Sequence, residues 1–185
     1  MSDQTTFGLL IAAAGAVGGY ALKYYHDLQI EKARAEIKLL SDQIQYLYGP
    51  LYALCSSNEA AWNTFVSKYA SNRVAFFSKE CPPSPTELDA WRRWTTDVFM
   101  PLNRAIVELI IKNTHLIEGA KFPDCFSAIV SHVKPYEIVL ARWSQGDFSE
   151  HTAFSNYPTE LNAYVSETFA QLKQRQTKLL HRLRI

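Results

Sequence analysis

The sequence predicts an all-α protein. An N-terminal transmembrane helix continues into a short coiled-coil-like helix, and an antiparallel helical bundle with proline-kinked helices follows. Three observations carry this. Apolar residues recur at intervals of three and four along most of the chain, and no stretch alternates with period two between strand-type turns. Gly49, Gly119 and Gly146, the glycines outside the N-terminal run, all fall at expected helix boundaries. Phe7 to Leu22 is sixteen residues without a charge. The length of 185 residues fits one domain with an appendage.

Residues 1–26 read as a transmembrane anchor. The apolar run sits near the lower edge of the roughly 17–25 residues that cross a bilayer, and its Ala and Gly content makes the drive to insert modest. Lys23 can snorkel to the interface, and Tyr20, Tyr24 and Tyr25 supply an aromatic belt. A secretory signal peptide fits less well, because no basic side chain precedes the run. The competing readings are a buried helix of a soluble bundle and an interfacial segment. Only Asp3 stands before the run, whereas Lys23, Lys32, Arg34 and Lys38 follow it. Positive charge favours the cytoplasmic side, so the N-terminus is expected outside and the main domain inside. Membrane lipid is therefore the first expected partner. Cys55, Cys81 and Cys125, odd in number and widely spaced, read as free thiols.

Gly15-Ala-Val-Gly-Gly19 has the small-residue spacing that lets two membrane helices approach closely. A run so rich in Gly and Ala also produces that interval by chance. In the juxtamembrane helix, residues 27–48, apolar positions recur at Ile30, Ala33, Ile37, Leu40, Ile44 and Leu47, a heptad pattern. Ile30, Ile37, Leu40 and Ile44 form the expected oligomer seam, and the isoleucines at a favour a parallel dimer. The alternative is that this stripe packs onto its own domain.

Residues 50–185 read as a cytoplasmic helical bundle. Gly49 is expected to end or loosen the first helix, with Pro50 opening the next over roughly 50–70. After a Ser- and Pro-rich connection, Ser84, Pro85 and Glu87 fit an N-cap, an N1 proline and a capping-box glutamate. That third helix is expected to run to about Glu118, kinked or divided at Pro101 and closed by Gly119. Pro123 opens a fourth helix to about Ser144, with Pro135 inside it and Gly146 closing it. A polar, aromatic loop over 145–157 leads to Pro158 and a last helix that runs close to the end. The nearly identical starts Pro85-Thr-Glu-Leu-Asp-Ala-Trp91 and Pro158-Thr-Glu-Leu-Asn-Ala-Tyr164 fit shared capping rules better than a duplication.

The search for chemistry is largely negative. There is no Gly-rich phosphate loop, H-E-x-x-H, G-x-S-x-G or C-x-x-C. No catalytic, cofactor or metal residue is therefore assigned, and the chain reads as a non-enzyme. Cys125 and His132 share a helix face, but two ligands do not make a structural zinc site. Cys81 lacks an identifiable base. A net charge of +1 disfavours a nucleic-acid binder.

Two features suit a protein partner or a membrane surface. Trp91-Arg-Arg-Trp94 interleaves two large aromatics with Arg92 and Arg93. The opposing reading puts Trp91 in the core and leaves the arginines solvated. The tail carries Lys173, Arg175, Lys178, Arg182 and Arg184 around leucines, as in helices that lie on anionic membranes. Those cations also simply complement the dipole of a helix C-terminus. Asn58 interrupts an apolar face, and Asn113 a second one; both are read as hydrogen-bonded within the bundle.

Tyr48-Gly-Pro-Leu-Tyr-Ala-Leu54, followed by Trp62 and Phe65, resembles a loose group of uncharacterised bacterial single-pass membrane proteins. In that group an N-terminal span and a charged helix lead into an L-Y-G-P-L-type motif and an aromatic-bearing helix. The resemblance covers about the first 65 residues. It implies an inner-membrane location and this architecture, and no activity. Three functional readings remain open. The first is a membrane-anchored, self-associating binding, scaffold or sensor module. The second is a membrane-acting effector whose helix assembles and perturbs the bilayer when triggered. The third is an enzyme using polar groups at the Pro101 and Pro135 kinks.

Overall fold

A computed structural model of the chain describes residues 2–72, 76–153 and 155–183, with the side chains of 2–6 and 8–14 excepted. Among the described residues all regular structure is helical: α1 Ser2–Gln43, α2 Gly49–Tyr69, α3 Pro85–Trp94, α4 Met100–Lys112, α5 Asp124–Ser144 and α6 Glu160–Leu183. The chain divides into two compact units, one of Met1–Ser41 with Gln174–Ile185, the other of Asp42–Lys173.

The first unit is built on α1. Val17, Tyr20 and Leu22 are each at least 70% exposed, and Tyr24 and Tyr25 are exposed as well. Among the described residues no helix is long and apolar enough to cross a membrane. The stretch 8–14 of the expected span lies outside the described side chains. Farther along, Ile30 and Ile37 are half-buried and Leu40 is fully buried. The end of α6 lies against this part of α1: Arg175 reaches Glu36 at 3.5 Å, and Gln176 Nε2 donates to Ser41 Oγ at 2.9 Å. Of the expected seam residues, Leu40 is thus enclosed within the single chain, whereas Ile30, Ile37 and Ile44 keep part of their surface.

Of the two expectations at Gly49, an end or a loosening of the helix, the structure has the second. The chain stays helical through a π-turn, Ile44–Tyr48, directly into α2. Pro50 explains why. A proline inside an α-helix lacks one donor, and its ring collides with the carbonyl four residues back. Widening one turn relieves that collision, and the Gly49 N–H donates to Ile44 O, five residues away. The residue before the proline must then be small, since a Cβ on Gly49 would stand 2.5 Å from Ile44 O. Its φ of −65° is ordinary, so glycine is needed here for space and not for conformational freedom. Pro101 is accommodated in the same way. A second π-turn, Thr95–Phe99, joins α3 to α4, and Met100 N–H donates to Thr95 O.

Helix α3 starts as expected, with the Ser84–Glu87 capping box formed in both directions. Its continuation α4 stops at Lys112, short of Glu118, because Asn113 Nδ2 bonds back to Leu109 O. The following turn is latched elsewhere: buried Gln43 donates to Leu116 O at 3.1 Å and to Glu118 at 3.0 Å, while Glu118 N–H donates to the Tyr48 hydroxyl. Gly119, with φ +90°, lies in the connector and not at the helix cap. Gly146, with φ +80°, does close α5, where Gly146 N–H bonds Trp143 O and Asp147 N–H bonds Arg142 O.

Within this unit α4 packs on both α2 and α5. On α6, Phe169 stacks on Tyr52 of α2 at 5.3 Å, and Tyr164 meets Phe126 of α5 edge-on. The aromatic heart is Phe65, fully buried and ringed by Trp62, Tyr69, Phe76, Trp91, Trp94 and Phe99 at 5.2–6.0 Å.

Candidate functional site

A cavity of about 750 Å³ opens beside this aromatic cluster, entirely within the second unit. Helix α2 contributes Asn58, Glu59, Trp62 and Asn63. The second π-turn and its flanks contribute Trp91, Thr95, Phe99, Met100 and Asn103. His132 and Tyr136 stand on α5, Tyr157 on the connector before α6, and Asn162 on α6. The volume is that of a small-molecule site, and its wall is aromatic with a limited number of inward polar groups.

The helical irregularities position these groups. Thr95, Phe99 and Asn103 follow at intervals of four through the π-turn before Pro101, and all three are buried. His132 and Tyr136 flank Pro135 on α5. Polar groups around both prolines thus share one wall. The long connector is pinned over it by three hydrogen bonds. Trp91 Nε1 donates to His151 O at 2.8 Å, Trp143 Nε1 donates to Glu150 O at 2.8 Å, and His132 Nδ1 lies 2.7 Å from Ser155 O.

The polar geometry is specific. Asn58 Nδ2 donates to Asn103 Oδ1 at 3.2 Å, both residues being buried. Asn58 Oδ1 and Thr95 Oγ1, on cavity-lining residues of two different elements, are buried with essentially no accessible surface and have no hydrogen-bond partner. Leaving such an atom unpaired costs about 1–3 kcal/mol, a cost that the fold carries beside the cavity. His132 faces a carbonyl at Nδ1, so that nitrogen carries the proton and donates, leaving Nε2 as an acceptor. Burial pushes its pKa below the ordinary value, against the raising effect of Ser155. Burial also pushes the Tyr136 and Tyr157 hydroxyls up to about 12. The Cys55 thiol, close to Tyr157, is likewise pushed up to about 12 by burial, which leaves it a protonated, poor nucleophile. At the rim, Tyr157 donates to Asn162 Oδ1 at 3.1 Å, and Asn162 Nδ2 donates to Glu59 at 3.4 Å.

The residues singled out from sequence distribute differently. Trp91 is 8% exposed and faces the cavity and core, so it is not a surface anchor for a partner; Trp94 is half-buried against Phe65 and Tyr69. Arg92 sits 4.4 Å over the Phe148 ring, and both Arg92 and Arg93 pair with Asp89. Their own helix and connector therefore already engage these cations. Arg175 pairs with Glu36, and Lys173, Lys178 and Arg182 are exposed, while Arg184 lies outside the described residues. Gly15 and Gly19 have nothing within 4 Å of an added Cβ. Cys125 and His132 do not come together as ligands, because the His132 ring turns to Ser155, Tyr136 and Tyr157.

Sequence reasoning missed Thr95, Asn103, Tyr136 and Tyr157, and assigned Asn58 to structure alone. A usable signal was present: a polar residue within an apolar stripe, at helical spacing from an aromatic. Asn58 with Trp62, Thr95 and Asn103 with Phe99, and His132 with Tyr136 all have it. No protein family, curated protein or solved structure matches the chain.

Proposed function

We propose that the chain is a membrane-tethered binding module whose helical domain takes up a small organic ligand. The single observation that carries the ligand reading is the cavity of about 750 Å³, walled by aromatic rings and a limited set of polar side chains that include His132 and Asn103. Ala163 offers a clean test, since it lines the cavity from an exposed position. Compounds that raise the thermal midpoint of the full chain should lose that effect in Ala163→Phe, which fills the cavity without burying a polar group. Equal shifts in both proteins would overturn the ligand reading.

The tether is supported by the charge-free run, by the apolar side chains that α1 exposes at Val17, Tyr20 and Leu22, and by the asymmetry of flanking charge. In this reading the N-terminus faces out and the domain is cytoplasmic. Gly15 and Gly19 then permit close approach of a second such helix, making the protein a self-associating sensor. The full chain should remain in the membrane pellet after a high-salt wash, and a soluble, monomeric chain overturns the anchor and the assembly together.

A further inference from the structure

We infer that the cavity is built for a protonated organic amine with an apolar body. The inference rests on the ligand-binding reading above and names the ligand's class. Charge comes first. Among the described residues that line the cavity there is no lysine or arginine, and the one carboxylate is Glu59. A phosphate or carboxylate ligand would be desolvated there without a cation to meet it, which is strongly unfavourable.

Hydrogen-bonding sense comes second. Glu59, at the exposed rim, accepts from Asn162 and keeps further lone pairs for a ligand. His132 donates at Nδ1 to Ser155 O, so its remaining nitrogen can only accept, and burial favours that uncharged form. An ammonium group is a compact source of three donors for such acceptors, and its charge is the one that the Glu59 carboxylate favours.

Aromatic character comes third. Trp62 and Trp91 stand at 88° to each other with centroids 6.3 Å apart, and Phe99 lies within about 6 Å of both. Indole and phenyl rings stabilise a desolvated cation by about 0.5–2 kcal/mol through the ring quadrupole. They bury an apolar body at the same time. A quaternary ammonium would satisfy the rings but could not donate to Glu59 or His132.

Three probes with one body separate the possibilities: 2-phenylethylamine, 2-phenylethanol and 3-phenylpropionate, titrated calorimetrically into the full chain in neutral detergent. The amine should bind about tenfold tighter than the alcohol, and the carboxylate should not bind measurably. Glu59→Gln, a change at an exposed rim position, should bring the amine down toward the alcohol without moving the thermal midpoint. If the alcohol or the carboxylate binds as tightly as the amine, the amine class falls while the ligand reading stands. If none of the three binds, both fall.

Discussion

The two units spend their apolar side chains in opposite ways. In Asp42–Lys173 the large apolar groups close on one another: Phe65, Leu47, Leu51, Ile106, Ile110, Phe126 and Ile129 show essentially no surface. On α1 of the first unit, Phe7, Val17, Tyr20 and Leu22 are each 67–74% exposed. Large apolar side chains held in the open along one helix stand against a core that shows none. The difference teaches that sequence hydrophobicity alone does not locate a core. The second unit uses it for cohesion, and the N-terminal helix keeps it available, which is the arrangement a bilayer or a second helix requires.

The contrast breaks most visibly in single truncations. Phe65→Ala removes the hub of the aromatic cluster and should cost about 3–5 kcal/mol in urea unfolding, through lost transfer energy and a cavity that packed rings cannot collapse. Tyr20→Ala, on a side chain 74% exposed, should stay within about 0.5 kcal/mol. Comparable losses at both positions would mean that α1 is packed in the isolated chain, and the contrast between the units would disappear.

Glycines sharpen the same point with a smaller effect and opposite signs. At Gly49 an added methyl meets the Ile44 carbonyl at 2.5 Å, and backbone cannot step aside cheaply. Gly49→Ala should therefore cost about 1–3 kcal/mol, as overpacking usually does. Gly18 sits in mid-helix with nothing within 4 Å. Gly18→Ala should stabilise the helix by up to about 1 kcal/mol, and circular dichroism of the monomer should show it. If membrane-embedded chains instead lose crosslinked dimer on Gly18→Ala, the open face is an assembly surface, and the comparison gains a functional meaning.

Much of the fold was legible because local rules and tertiary structure agree. The Ser84–Glu87 capping box, the Gly146 stop and the Asp124–Ser144 helix follow from short-range chemistry. The π-turns did not, since Pro50 and Pro101 state only that an α-helix cannot continue unchanged. Breaking the helix and widening one turn both relieve the clash, and packing around Leu47, Tyr48 and Phe99 decides between them. The turn after α4 is latched by Gln43 and Tyr48, some 70 residues away in sequence, which no local rule announces. The site was the least legible part. Asn58 stood out as a polar residue on an apolar face, yet half of its amide is paired and half is not, a distinction no spacing encodes. His132 finds Ser155 on a connector 23 residues downstream, so its role became visible only once that connector was placed.

The smallest expected effect tests that placement by proton linkage. In the unfolded chain the His132 imidazole takes up a proton near its ordinary value of 6.5, whereas burial in the fold lowers its affinity. Below that value the unfolded state binds more protons, so stability falls as pH falls, and the loss ceases once the folded imidazole is protonated too. The groups that meet this ring are Tyr136, Tyr157 and the Ser155 carbonyl, none of which titrates in the same interval. Glu87 acts in a separate window. Hydrogen bonds from Ser84 and Ser71 hold its pKa at about 2, so its stabilisation is present above the ordinary 4.5 and is lost as pH drops toward about 2. Urea midpoints at pH 7.5 and 5.5 should therefore drop less in His132→Gln than in the wild type, and Glu87→Gln should leave that interval unchanged. An undiminished drop in His132→Gln would place the titrating group elsewhere. The cavity wall would then carry no buried, uncharged imidazole, and the acceptor character that favours an ammonium ligand would lose one of its sources.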